Sequence, residues 1–562
     1  MTLPAPGSLS RPFSLAPQFA PPPSPVPSPR PVTASNSTQS PAPDAARTAG
    51  RGGLAVLTAK VFFILSGLIQ QTLLPRIIGL DGYGALSRVL AIANMANNVV
   101  VTSSIQGVSR AVAQTPEQHA GQTLRRTLST HAAIAIPIAL LFLFIAPHYA
   151  RFQGSPHIVR SVQIVSLVVL AYGLYAPLVG YLNGQRRFAA QAGLDMTYAI
   201  LRTAGLLGFG YFFARHNDGV FGACIGFALA ACMIFPIALR LTGIGSRGNS
   251  GPSVREHLLF IAPVAIGQIA LQALMQLDIV ILGHHASRLV VETGLSGEAA
   301  QQAADKIVGV YRACQLFAFL PFQLLIAVTF ILFPMLAKAK ADGDKEAIAT
   351  YVRSGMRLAL VFACIMVATV AALSPHLLRL AFPAEVGERG AASLRVLSLG
   401  QGAFAIFYIQ MTVLTSLGRE RMSAILTGAA AVIVAALAWV ACRTSTTPND
   451  LLLRCAIAVS AALGVAAIAG AFAVARTANA FVRPATALRV MIALAATTVV
   501  GSLIPAVDIM LPFKKAALNV GKLLVVPEAI GTALVAAVIL LVTREVGKAD
   551  LDLVKRVIKR KP

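Results

Sequence analysis

The sequence predicts an all-α, polytopic membrane protein of about 14 transmembrane helices. They are expected as two six-helix bundles in a parallel pseudo-twofold repeat, followed by a C-terminal helix pair. Apolar stretches of spanning length recur from about Leu54 to Thr543, and a bilayer core about 30 Å thick requires about 20 mostly apolar residues per helix. Hydrophobic residues make up 56% of the 562-residue chain, charged residues 12%, and the mean hydropathy is +0.73. The polar loops between the stretches are arginine-rich at every second turn, as the positive-inside rule requires of a multi-pass chain.

Residues 1–50 hold 13 of the 32 prolines. Such a segment buries too little apolar area to offset chain entropy, so a disordered Pro-rich cytoplasmic tail is expected. It lacks an apolar region followed by a cleavage site, which argues against a signal peptide. The first bundle, residues 51–245, is expected to span at 54–79, 84–113, 127–147, 157–182, 189–214 and 219–242. The second, residues 246–475, spans at 256–283, 305–336, 352–373, 391–417, 422–442 and 450–475. The stretch 305–336 is long for one pass, so it tilts, kinks at Pro321 or protrudes from the bilayer. Residues 476–545 add a helix pair at 484–508 and 523–543, and residues 546–562 form a basic cytoplasmic tail.

Charge placement favours both termini inside. The returns after the even-numbered spans carry Arg125 and Arg126, Arg186 and Arg187, Arg247 and Arg255, Lys338 and Lys340, Arg419 and Arg421, and Arg476 and Arg483. The opposite loops are sparser or mixed, as with Arg288 beside Glu292, Glu298 and Asp305. Lys514, Lys515 and Lys522 break the rule and weaken the placement of the last pair. The net charge of +25 follows from these loops. The cations are dispersed rather than gathered in one domain, which argues against nucleic-acid binding. The six cysteines form no C-x-x-C pair, so neither a metal site nor a disulfide framework is suggested. Asp550-Leu551-Asp552 lies in the basic tail without a surrounding catalytic domain, so a membrane-embedded polymerase or glycosyltransferase is disfavoured.

Matching motifs suggest the repeat. Gly184-Gln185-Arg186-Arg187 and Gly418-Arg419-Glu420-Arg421 close spans 4 and 10 with an offset of 234, while Gly84 and Arg88 precede Gly309 and Arg312 by 225 and 224. Six spans per copy insert both copies the same way up, as in transporters whose halves rock about a central site.

Gln276-Leu277-Asp278-Ile279-Val280-Ile281-Leu282-Gly283, Val308-Gly309-Val310-Tyr311-Arg312-Ala313, Ile331-Leu332-Phe333-Pro334-Met335-Leu336-Ala337 and Leu80-Asp81-Gly82-Tyr83-Gly84 carry a further signal. Over about residues 54–475 the chain resembles the multidrug/oligosaccharidyl-lipid/polysaccharide exporter superfamily, and within it the polysaccharide biosynthesis flippases. The resemblance implies a transporter rather than an enzyme, without a cofactor. It moves undecaprenyl-pyrophosphate-linked oligosaccharide from the inner to the outer leaflet of the cytoplasmic membrane. The lipid-linked oligosaccharide, membrane lipid, a glycan polymerase and glycosyltransferases are the implied partners of a monomer. A lipid II flippase is the alternative, kept open by the extra helix pair. A drug/cation antiporter follows it, disfavoured because this interior is biased to lysine and arginine.

Such a substrate calls for cations and polar groups inside the bilayer. Intramembrane ionisable residues are functional candidates. At 1.5 Å per residue, Lys60 lies about 9 Å into the first span and Arg202 about 20 Å into the fifth, beyond easy snorkelling. Arg88 and Arg312 lie nearer their span ends. Gln268, Gln272 and Gln276 share one helix face, and Asn94, Asn97 and Asn98 cluster in the second span. These amides would contact sugar hydroxyls or bond helix to helix. Asp278 is the ion-coupling candidate; a hydrogen-bonding role is favoured because no further acid accompanies it in the apolar interior of its helix.

Overall fold

The structure, a computed structural model, describes residues 43–505, 510–513, 516–519 and 521–547. Most of the expected proline-rich tail, most of the basic tail, and Lys514 and Lys515 lie outside the described residues. The first helix, α1 (Pro43–Ala113), bends at Gly79, where φ is 79° and ψ is 167°. That conformation suits a residue without Cβ. Pro75, one turn earlier, removes a further helical hydrogen bond. The bend makes two passes of one helix.

Four more passes follow: α2 (Ala120–Phe152), α3 (Val159–Gly184), α4 (Phe188–Ala214) and α5 (Gly219–Thr242). Helix α4 packs along α5, and α3 lies against α2 and α5. A linker over 243–253 leads into α6 (Val254–Glu292). Ser253 starts that helix with a capping box. Its Oγ accepts the Glu256 N–H at 3.2 Å, and its own N–H donates to the Glu256 carboxylate at 2.9 Å. The next pass is α7 (Gly297–Ala318) with α8 (Leu320–Ala341), interrupted at Phe319 just before Pro321. This is the kink expected at that proline. Then come α9 (Lys345–Ala372), the short α10 (Ser374–Ala381), α11 (Ala384–Ser416), α12 (Glu420–Arg443) and α13 (Pro448–Ala478). Helix α11 packs against α7, α8, α9 and α13, while α12 covers α6 and α13.

The last pair, α14 (Pro484–Ser502) and α15 (Gly521–Val542), lies against α9. Helix α14 stops six residues short of the expected 508, ahead of Pro505, whose ring disfavours helix at the preceding residue. Two antiparallel strands, β1 (Met510–Phe513) and β2 (Ala516–Asn519), stand between the pair, with Met510 opposite Asn519.

Among the described residues, twelve helical segments are long and apolar enough to cross a bilayer. The first, Val61–Ala113, contains the Gly79 bend and makes two passes. Helix α4 is made more polar by Asp195 and Arg202 and adds the fourteenth. The passes alternate, so the turns collect at two ends. The turns at 113–120, 184–188, 242–254, 341–345, 416–420 and 478–484, and the stretch after α15, share the end that carries most of the loop arginines. It is called the basic end below. Many outward side chains, such as Phe144, Ile425, Ile468 and Met491, are exposed and apolar, which suits contact with lipid tails.

The two Gly-x-x-Arg turns differ in detail from the expectation that glycine stops each helix. Gly418 takes the left-handed conformation at φ 71°, but in the other turn Arg186 takes it, at φ 59°. Each turn closes with a bond back five residues, Arg187 N–H to Leu182 O at 2.9 Å and Arg419 N–H to Leu414 O at 2.8 Å. The structural counterparts are therefore Arg186 and Gly418. Gly184 instead allows close approach to α1, where a Cβ would press on the Ser109 carbonyl and Val112.

Candidate functional site

The second pass of α1 runs antiparallel to α6 and meets it along most of its length. At the end away from the basic turns, Gly84 abuts α7 so closely that a Cβ would overlap the Asp305 carbonyl. A Cβ on Gly309 would likewise overlap the Leu80 carbonyl. These glycines, singled out as repeat markers, allow the first six passes to touch the next six. At mid-height Asn98 Nδ2 donates to Gln272 Oε1 at 3.0 Å. Toward the basic end His131 Nδ1 lies 3.0 Å from Ser104 Oγ, and His131 Nε2 lies 3.0 Å from His257 Nε2. One turn further, the Arg110 guanidinium sits 4.2 Å from the centre of the Phe260 ring.

Arg88 is among the largest fully buried side chains of the protein. Its Nε is 2.8 Å from Asp305 Oδ1, off the line of the N–H, and His157 Nε2 is 2.8 Å from Oδ2. Arg88 Nη1 donates to the Gln153 carbonyl at 2.8 Å, Ser155 Oγ at 2.8 Å and Ser287 Oγ at 3.0 Å. Tyr149 donates to the Arg88 carbonyl at 2.8 Å. One guanidinium thus ties α1, the α2–α3 turn, α6 and α7 together. Beside it the rings of Phe152 and His284 stack at 4.5 Å, and His284 stacks on Trp439 at 5.3 Å.

Asp278 is also buried and fully engaged. Oδ1 accepts the Ile279 N–H at 2.8 Å; Oδ2 accepts Tyr311 Oη–H at 3.0 Å and Gln315 Nε2–H at 2.6 Å. Cys455 Sγ adds a contact of 3.6 Å to the Tyr311 hydroxyl. Arg312 is half-buried and donates from Nη1 to Gln315 Oε1 at 3.0 Å. Arg312 therefore reaches Asp278 through Gln315, and its charge has no ion pair among the described residues.

The remaining candidates are scattered. Arg202 is half-buried, with its guanidinium 5.0 Å from the Phe227 ring centre and its buried Nε without a hydrogen-bond partner among the described residues. Asn94 is half-buried, Gln276 is buried, and Asn97 is buried with both amide atoms unpartnered among the described residues. Lys60 lies on α1, but its side chain is outside the described residues.

A cavity of about 840 Å³ opens beside the seam in the half of the molecule nearer the basic end. Helices α6, α8, α11 and α12 wall it, and α1 contributes Gln106. Pro263 and Pro334 lie in its wall, each removing a helical hydrogen bond. Among the described residues the polar lining consists of Gln106, Gln268, Thr329, Tyr408, Thr412, Thr415, Ser423 and Thr427, with Glu420 as the only charged one. Of the predicted substrate-binding residues whose side chains are described, only Gln268 lines it. Arg202, Arg88 and Arg312 stand elsewhere, and Gln272 is turned to Asn98. The cavity offers amides and hydroxyls that donate and accept hydrogen bonds, set among apolar walls, which is the chemistry that holds sugars rather than bare phosphate.

Sequence reasoning missed the acid that pairs with Arg88. Asp305, expected in a polar loop, lies within α7 at 3% exposure. Its spacing of seven residues from Arg312, the same as that of Asp81 from Arg88, could have revealed it. The hydroxyls of α11 and α12 were missed because isolated Thr and Ser in apolar helices carry no pattern of their own.

Several solved structures share this fold. A lipid II flippase, MurJ, in an inward closed conformation matches with a TM-score of 0.65 at 13% identity, covering 88% of this chain and 99% of that one. An inward-facing multidrug-resistance MATE family transporter of the MOP superfamily matches with a TM-score of 0.57 at 14% identity, over 76% and 99% of the two chains. An outward-facing form of such a transporter gives 0.54 at 14% identity, over 77% and 96%. No curated protein matches the sequence. Residues 49–340, just over half of the chain, match the sequence profile of polysaccharide biosynthesis proteins. The chain belongs to the polysaccharide biosynthesis protein family, in the fold of the MOP exporters.

Proposed function

We propose that this protein is a flippase that carries an undecaprenyl-pyrophosphate-linked oligosaccharide from the inner to the outer leaflet of the cytoplasmic membrane by alternating access. The carrying observation is the 840 Å³ cavity lined by amides and hydroxyls beside the α1–α6 seam, in a chain of the polysaccharide biosynthesis family. The sugars occupy this cavity, and the basic end, with both termini, faces the cytoplasm. The first and second six passes act as the rocking bundles. Opening one end parts the Arg88–Asp305 cluster, and opening the other parts His131 from His257. Of the predicted cations, Arg312, Arg202 and Lys60 are left for the pyrophosphate, since Arg88 is neutralised by Asp305. Glycosyltransferases act before the flip and a glycan polymerase after it.

The fourteen passes favour one second reading, a lipid II flippase, because the match to that fold includes 99% of the MurJ chain. One assay separates the two. The purified protein is reconstituted into liposomes holding either fluorescent substrate, and appearance in the outer leaflet is read with an impermeant reagent. Gly267 lines the cavity and has open space where a Cβ would sit, so Gly267→Phe fills the cavity without breaking a contact. We expect the oligosaccharide lipid to flip and Gly267→Phe to abolish it. Flipping of lipid II alone selects the second reading. Unaltered flipping by Gly267→Phe refutes the cavity.

A further inference from the structure

A second cavity, of about 490 Å³, opens at the basic end between α9, α14 and the residues that follow α15. It shares no residue with the 840 Å³ cavity. Five arginines line it: Arg353 and Arg357 from α9, Arg483 and Arg489 at the start of α14, and Arg544. Among the described residues the only acid in its wall is Glu545, at 3% exposure. Glu545 is already taken by Arg357 at 3.1 Å, Arg489 at 3.4 Å and the Thr486 hydroxyl at 3.0 Å. Arg353, Arg483 and Arg544 have no ion pair among the described residues.

The backbone adds to the positive field. Helix α14 begins here with Pro484 in its first turn, no acid in that turn and no side-chain cap from Arg483. Ala485 and Thr486 of that first turn line the cavity, so the positive end of the helix dipole lies beside it. Away from the basic end, α9 and α14 continue with exposed apolar side chains: Leu358, Phe362, Leu488, Met491 and Ile492. A ligand fitting both features has an anionic head and long apolar tails.

We propose that this cavity binds the phosphate headgroup of an anionic phospholipid, whose acyl chains lie along α9 and α14. The arginines supply charge and bidentate hydrogen bonding to phosphate oxygens. The lipid thereby clamps the C-terminal helix pair onto α9. The apolar faces beside the arginines single out a lipid over free phosphate.

The test uses the full chain purified in uncharged detergent. Binding is measured by native mass spectrometry with phosphatidylglycerol, phosphatidylcholine or inorganic phosphate. We expect tight binding of phosphatidylglycerol only. Each arginine near a charged headgroup contributes about fivefold in affinity, so Arg353→Gln/Arg483→Gln/Arg544→Gln should weaken binding on the order of a hundredfold. A control that removes the same charge elsewhere at this end, Arg186→Gln/Arg419→Gln/Arg421→Gln, should leave it intact. Single Arg353→Gln, at an exposed position, carries the test if the triple variant does not fold. Three results overturn the proposal: equal loss in the control, equal binding of phosphatidylcholine, or full displacement of the lipid by inorganic phosphate at matched concentration.

Discussion

Replacing Asp305 by asparagine should cost the fold about 3 kcal/mol, a value that follows from burial and geometry. The two charges approach to 2.8 Å with side-chain exposures of 0% for Arg88 and 4% for Asp305. At an effective dielectric of about 20 their attraction is about 6 kcal/mol. Desolvation of both ions offsets most of that, so the intact pair contributes little net stability. Removing one member is different, because the other remains charged and buried; such losses run about 3–5 kcal/mol. Three acceptors still hold Arg88 Nη1 in the variant, which places Asp305→Asn at the low end. Unfolding of the purified variant in detergent, followed by heat or denaturant, measures the loss. The double variant Arg88→Met/Asp305→Leu should recover part of the loss, since an apolar pair needs no desolvation, but stay below the wild type because the Gln153 carbonyl and the Ser155 and Ser287 hydroxyls lose their donor. It should nevertheless fail to transport. The ions regain hydration when this end opens to water, whereas an apolar pair has nothing to gain and stays shut. Wild-type stability in Asp305→Asn would refute the energetic argument, and wild-type transport by the apolar pair would refute the gating role.

Asp278→Asn should retain transport, because its carboxylate accepts three hydrogen bonds and an amide oxygen keeps most of them. Asp278→Ala strands the same donors and should lose about 2 kcal/mol of stability; an abundant but transport-dead Asp278→Asn would restore the ion-coupling role. For topology, Arg421→Cys in a cysteine-free background should be labelled only from the cytoplasm and Thr446→Cys only from outside. Labelling of Arg421→Cys by an impermeant external reagent overturns the orientation, and Gly418 is avoided because its φ of 71° and the nearby Lys340 ammonium disfavour a side chain.

The helix count was legible because each pass must satisfy the bilayer by itself: length and apolarity are local properties. The break beside Pro321 was legible for the same reason, since a proline acts on its own turn. Short α10 and the strands β1 and β2 were not, being too short to carry a period. The site was harder. The stripe of Gln268, Gln272 and Gln276 pointed to an inward face, yet which amide would meet a cavity and which would meet Asn98 depends on how two distant helices cross. Cations were ranked by depth within their own helices. Depth does not report a partner 217 residues away, and Arg88 proved neutralised by one.

The same spacing that hid this pair also explains why it is unmatched. Asp81 and Arg88, like Asp305 and Arg312, stand seven residues apart, two turns along one helix face. Under a pseudo-twofold axis a contact between Arg88 and Asp305 implies a second between Arg312 and Asp81. That second contact is not formed: Arg312 Nη1 goes to Gln315 at 3.0 Å, and Asp81 makes no ion pair among the described residues. The difference lies in the backbone. Asp305 sits nine residues into α7, a continuous helix, whereas Asp81 follows the Gly79 bend by two residues, where helical geometry is interrupted. The acid on a firm helix is held at the seam and closes one ion pair. The acid beside the bend is not, and Arg312 is left without a direct ion pair, its charge reaching the Asp278 carboxylate only across Gln315.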